Sequence, residues 1–142
     1  MEQLILHLWG EFITQSEWVL RHKGRKAAVA FLHVVIYTLP FLLMTRHWQA
    51  LAAIAGSHFL IDRFRAARFV VWFKNCFHPK QLWVGHPHHS EAWSHHGHSA
   101  PFRFCNSTGH NPSVPIWIST WILLIVDSIL HLSCNYLALD WL

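Results

Sequence analysis

Apolar residues run along this chain in long blocks rather than in stripes, and the blocks set the number of elements. Leu4 to Leu20 is interrupted by His7, Glu11 and Gln15, and Ala27 to Met44 only by His33, Tyr37 and Thr38. Leu51 to Ile61 is short by itself, but reaches spanning length if its helix starts near Trp48 and runs past Asp62. Val114 to Leu139 carries Asp127 and His131 as its ionisable groups, with Pro112 and Pro115 at its start, where proline is tolerated. A helix needs about 20 apolar residues to cross a hydrocarbon core about 30 Å thick. The pattern therefore predicts an all-α, polytopic membrane protein. Its fold is a four-helix transmembrane bundle, with spans at about 3–20, 27–45, 48–66 and 114–136 of a single membrane domain covering 1–142.

The connection between the third and fourth spans changes character along its length. Arg63 to Phe73 alternates basic and apolar residues, which predicts an interfacial helix over about 63–76. Arg63, Arg65 and Arg68 are its candidate ligands for lipid headgroups, because long basic side chains reach from an apolar face to phosphate. Residues 77–113 then form a long His-rich cytoplasmic loop, longer than a connector without order of its own.

Composition and charge agree with the blocks. Hydrophobic residues make up 53% and charged residues 13%, a balance that excludes an ordinary soluble domain. Cytoplasmic loops collect Lys and Arg. With the N-terminus and C-terminus outside, all of the eleven basic residues except Arg46 fall on the cytoplasmic side. The net charge of +4 then reads as orientation and contact with anionic lipids, and not as a nucleic-acid footprint. Membrane lipids are the expected partners, nucleic acid is not, and a homo-oligomer or a protein partner within the membrane stays open. The first block has no basic region ahead of it and no small-residue cleavage site, so no cleaved signal peptide is expected. Cys76 and Cys105 fall on the cytoplasmic side and Cys134 in the last span, which predicts free thiols or soft ligands rather than a disulfide.

Each span also carries an ionisable pair four residues apart: His7 with Glu11, His58 with Asp62, Asp127 with His131, and His33 with Tyr37. That spacing puts both members on one helix face. A carboxylate near the bilayer centre is disfavoured by roughly 2.5–3.5 kcal/mol, so three of them require partners. Imidazole and carboxylate from facing helices form the donor set for a first-row divalent metal, zinc foremost. The candidate metal ligands are His7, Glu11, His33, His58, Asp62, Asp127 and His131. Counting from the basic flanks sets His7 and His131 further toward the outside than His33 or Asp62, and Glu11, His33, His58 and Asp127 could share a layer. Buried imidazole–carboxylate hydrogen bonds without metal are the competing structural account, and a proton or ion path is a third. In the loop, His86, His88, His89, His95, His96 and His98 offer a second metal site, although no standard zinc-finger spacing is present.

The motif His7-Leu-Trp-Gly10-Glu11-Phe12-Ile-Thr-Gln15-Ser16-Glu-Trp18 resembles the H-x-x-G-D-F-x-x-Q-[ST]-x-W opening of domain-of-unknown-function family 3307, small membrane proteins of bacteria and phages. Leu32-His33-Val-Val-Ile-Tyr37-Thr38 is similar to the family's L-H-x-x-x-Y-T element. His58-Phe-Leu-Ile-Asp62 is similar to its H-x-x-x-D, and Asp127-Ser-Ile-Leu-His131 to its D-Q-x-x-H. Glu11 stands where the family has Asp, and Ser128 where it has Gln. The resemblance implies a multi-pass protein of the bacterial inner (cytoplasmic) membrane. More distantly, the H-x-x-x-D spacing looks like that of membrane-bound metal-dependent hydrolases, which would imply zinc and hydrolysis.

The expected function is a membrane-embedded, zinc-dependent hydrolase acting on a lipid or membrane-associated substrate, with Glu11 as the catalytic general base unless it is itself a ligand. Two rivals come from other classes. One is a metal or proton transport or sensing protein. The other is a small interaction protein, phage-encoded in one version, acting on a host membrane complex.

Overall fold

In the computed structural model, residues 2–75, 102, 105–110 and 114–142 are described. Every regular element among them is helical. The order is α1 (Glu2–Leu8), a π-helical turn (Trp9–Ile13), α2 (Glu17–His22), α3 (Ala27–Thr38) with a 3-10 extension (Leu39–Leu43), α4 (Trp48–Phe64), α5 (Ala66–Asn75) and α6 (Ile116–Trp141). The chain divides into two compact units, one of Met1–Ala66 with Asp127–Leu142, the other of Ala67–Val126.

In the first unit α3 packs on α4, and the start of the chain lies against α3. Its core is Tyr37, Phe41, Ile54 and Ala138, with Leu6, Leu51, Ala53 and Leu139 packed around them. The apolar residues outside this core are largely exposed, among them Ile5, Phe12, Phe31, Leu43, Trp48, Leu60 and Phe64. Polar groups share the interior with the core: His7, His33, His58, Asp62, His131 and Asn135 are all buried. That departs from the usual order, in which charged and polar side chains stay at the surface.

Several expected boundaries are corrected. The first block is not one helix over 3–20. It passes from α1 into the π turn, where Thr14 N–H donates to Trp9 O (3.1 Å), and then breaks before α2. The break has a local cause: Thr14 Oγ1 donates back to Gly10 O (2.8 Å), and the side chain of Ser16 caps α2 by accepting from Val19 N–H. The interfacial helix begins at Ala66 rather than 63, because Arg65 adopts the left-handed conformation (φ 53°, ψ 48°) and closes α4. The last helix runs to Trp141 rather than to about 136.

By length and composition one described helix, Ile116–Trp141, is able to cross a membrane, and only 17% of its most apolar stretch is buried. Ala27–Leu43 is a shorter apolar helix. Among the described residues the four full-length spans expected from the blocks are thus not found: α1 has 7 residues before the π turn and α4 has 17, below the roughly 20 that a span needs.

In the second unit, α5 buries Ala67, Val71 and Asn75. Phe102 stacks on Phe69 (ring centroids 4.5 Å apart), and the Arg68 guanidinium lies 4.2 Å from the Phe102 ring centroid. Residues 106–110 close a tight turn around the Asn106 side chain, whose Oδ1 accepts from Thr108 N–H, Thr108 Oγ1 and His110 N–H. Gly109 has φ 82°, and a β-carbon there would collide with the Arg68 carbonyl oxygen. The proposed second site at His86, His88, His89, His95, His96 and His98 lies outside the described residues, as does Cys76.

Candidate metal centre

Four polar side chains from three segments of the first unit meet at one point. The π turn supplies Glu11, α3 supplies His33, and one face of α4 supplies both His58 and Asp62. A π turn displaces side chains from their ordinary helical positions and is common at functional sites. His58 Nε2 is 3.1 Å from His33 Nε2, 3.1 Å from Glu11 Oε1 and 3.2 Å from Asp62 Oδ2. His33 Nε2 is 3.4 Å from Glu11 Oε1 and 3.5 Å from Asp62 Oδ2.

The donor set can be tested against a metal by its edges. A tetrahedral ion with bonds of about 2.0–2.1 Å has donor–donor edges of about 3.3–3.4 Å. The five separations above, 3.1–3.5 Å, bracket that value. Two carboxylate oxygens and two imidazole nitrogens are acceptors when unprotonated, so a hydrogen bond satisfies them at most in pairs, whereas one cation satisfies all four together. The buried cluster could hold a metal ion.

Three further side chains support these four. Glu11 Oε2 accepts from Gln15 Nε2 (3.1 Å) and lies 3.4 Å from Lys23 Nζ, which turns Oε1 toward the imidazoles. Lys23, in the turn after α2, also lies 2.9 Å from Asp62 Oδ2. Burial alone would lower its pKa, but the carboxylates of Asp62 and Glu11 outweigh burial and raise it, so the ammonium stays charged. Tyr37 lays its ring on His58, with centroids 3.7 Å apart, and its hydroxyl accepts from Asn135 Nδ2 at 2.7 Å. The hydroxyl hydrogen is then available to His7 Nδ1, 2.9 Å away.

The seven expected ligands therefore fall into three groups. Glu11, His33, His58 and Asp62 form the central cluster, so Asp62 takes the place expected of Asp127 in that layer. Asp127 and His131 form a neighbouring cluster that shares Asp62. His7 stands beside them, bonded to Tyr37, with its ring centroid 5.6 Å from that of His131. The three arginines expected at headgroups are engaged within the protein: Arg63 Nη1 donates to Gly24 O (3.0 Å), the Arg65 stem passes Gly24, and Arg68 lies over Phe102.

Residues 1–84 match the family described as protein of unknown function (DUF3307). The chain belongs to this family. The matched segment contains Glu11, Lys23, His33, Tyr37, His58 and Asp62, and ends before Asp127 and His131. No curated protein and no solved structure matches the chain.

The family's opening motif acquires physical content at this site. His7 and Gly10 serve Tyr37, the first by hydrogen bonding and the second by leaving room for the ring. Glu11 enters the centre, Gln15 holds Glu11, and Ser16 ends the break by capping α2. Sequence reasoning missed Lys23 and Asn135. Asn135 stands four residues after His131 on the same face of α6, a signal that continues the Asp127–His131 spacing. Lys23 was absorbed into the count of cytoplasmic charges, and no spacing marked it.

Proposed function

We propose that this protein is a membrane-embedded metal-binding protein that works as a zinc-dependent hydrolase on a lipid or membrane-associated substrate. The carrying observation is the convergence of Glu11 Oε1, His33 Nε2, His58 Nε2 and Asp62 Oδ2 at tetrahedral spacing. Zinc held by four protein donors would have to expand to a fifth position to take up a water, and Lewis-acid activation of that water is the chemistry it would supply. The protein's own groups do the rest. Gln15 and Lys23 fix the Glu11 carboxylate, Tyr37 fixes the His58 ring, and the Lys23 ammonium offsets part of the negative charge of Glu11 and Asp62. The position of Glu11 Oε1 favours a ligand role over that of a free base. Asp127, with 27% of its side chain exposed against 9% for Glu11, is the more accessible carboxylate.

Membrane embedding draws its support from surface chemistry. The first unit buries its imidazoles and exposes Ile5, Phe12, Phe31, Leu60 and Phe64, an arrangement suited to a lipid surround. On this reading the hydrophobic elements lie in a bacterial inner membrane, with α6 long enough to cross it alone. Lys23 and the Arg63–Gly24 contact set the cluster beside basic residues, which supports reading that side as the cytoplasmic one.

The test is elemental analysis of the detergent-purified protein and its His58→Ala variant, followed by assay of chromogenic phosphodiesters and carboxylic esters in micelles. Stoichiometric zinc in the first, its loss in the second, and hydrolysis that follows zinc content support the reading. Bound zinc with no hydrolysis but with zinc flux in proteoliposomes would replace it by transport. Metal-free protein holding a stoichiometric membrane partner would replace it by the interaction role.

A further inference from the structure

The Asp62 carboxylate has two faces, and each is turned toward a different set of donors. Oδ2 belongs to the central cluster, 3.2 Å from His58 Nε2. Oδ1 lies 3.7 Å from His131 Nε2, which is in turn 3.6 Å from Asp127 Oδ2. His131 is buried, with 1% of its side chain exposed, and its Nε2 has no hydrogen-bond partner among the described residues. A buried ring nitrogen left between two carboxylates, too far from either to bond, is costly unless something stands between them. With bonds of about 2.1 Å, separations of 3.6–3.7 Å correspond to a cation seen at about 120° from its donors.

We propose that Asp62 bridges two divalent cations, the second held by Asp62 Oδ1, His131 Nε2 and Asp127 Oδ2. This rests on the first centre described above. A carboxylate bridge of this kind holds first-row ions about 3.5–4 Å apart. The two positions differ in character. The central one has four protein donors and is closed, whereas the second has three and keeps coordination positions open. The opening lies at Asp127, the only one of the bound carboxylates with appreciable exposure, at 27% of its side chain.

Charge indicates what enters there. Glu11, Asp62 and Asp127 bring −3 and Lys23 brings +1, leaving −2 at the site with neutral imidazoles. Two divalent cations add +4, so the loaded centre carries +2 and favours an anionic ligand. Phosphoryl oxygens, which bridge paired cations readily, are the chemistry that fits, and a phosphoester is the substrate class.

The test combines metal counting, spectroscopy and anion binding on the full chain. Wild-type protein should hold two ions and Asp127→Ala one, while His58→Ala should lose the central ion. Asp127 is partly exposed, so its variant is the safer one to fold, and circular dichroism of both variants checks this. Loaded with manganese(II), wild type should give the electron paramagnetic resonance spectrum of a coupled pair, and Asp127→Ala that of an isolated ion. Inorganic phosphate should bind the two-ion protein at least tenfold more tightly than the variant. One ion in wild type, unchanged in Asp127→Ala, would overturn the second site and leave the first standing. Two ions in both proteins would place the second ion elsewhere and overturn the assignment. Equal phosphate affinity would overturn the anionic ligand, and a metal-free wild type would overturn both centres.

Discussion

Gly10→Ala probes the scaffold of the centre with a single methyl group. A β-carbon at residue 10 would lie 2.5 Å from Cδ2 and 3.0 Å from Cε2 of Tyr37. Ordinary carbon contacts are about 3.5–4.0 Å, so the ring would have to retreat by about 1 Å. It has nowhere to go: Tyr37 is fully buried, stacked on His58 and tied through its hydroxyl to Asn135 and His7. Overpacking of this kind costs about 1–3 kcal/mol, roughly a 5- to 150-fold fall in the folding equilibrium constant. Equilibrium unfolding in a mild detergent, with chelator present so that metal does not contribute, measures it. The double-mutant cycle with Tyr37→Leu isolates the clash, because the smaller, flexible side chain can yield. In that background alanine should be neutral or stabilising, since glycine within a helix costs about 0.5–1 kcal/mol relative to alanine. An equal cost in both backgrounds, or no cost in the parent, would refute the steric argument.

Other expectations follow from the same packing. Tyr37→Phe keeps the ring on His58 but leaves the Asn135 amide and His7 Nδ1 without their shared partner, which should cost about 1–3 kcal/mol in the same unfolding assay. Lys23→Met removes the ammonium from between Glu11 and Asp62, and should destabilise the chelated protein by about 3–5 kcal/mol. Added zinc should recover more stability in that variant than in the parent, as thermal shifts with and without zinc would show. In the second unit, burial and then the charge of Lys74 lower the pKa of His110. The folded turn thus binds fewer protons than the unfolded chain. Its stability is full above the ordinary histidine value of about 6.5 and falls as pH drops below it. Exchange rates of the Gly109 and His110 amides, corrected for intrinsic pH dependence, should reveal more frequent opening at pH 5 than at pH 7.5.

The sequence made the ligand types legible because buried ionisable residues are expensive, and pairs four apart declare a shared helical face. His58 with Asp62, and Asp127 with His131, keep that spacing on unbroken helices and meet as the pattern implied. His7 and Glu11 have the same spacing but do different work, because the π turn between them rotates Glu11 into the centre and leaves His7 on Tyr37. No periodicity argument sees an inserted residue in a turn. Asp62 lies one helical turn beyond His58, yet its Oδ2 comes within 3.2 Å of His58 Nε2, a reach that counting heights from the basic flanks does not include. Lys23 was hidden by its company, since Arg21, Arg25 and Lys26 surround it and only packing shows which of them turns inward. The blocks themselves fixed the apolar segments but overstated their continuity, as the cap at Ser16 and the left-handed Arg65 end helices that hydropathy would carry through.

The central claim is that a metal ion belongs among Glu11, His33, His58 and Asp62. Diffraction from crystals of the zinc-loaded protein, collected on both sides of the zinc absorption edge, tests it at the position itself. An anomalous peak is expected about 2.0–2.1 Å from both Nε2 atoms and from Glu11 Oε1 and Asp62 Oδ2. Crystals grown with zinc in excess that show no peak there, with the two imidazoles hydrogen-bonded to the carboxylates instead, would contradict it.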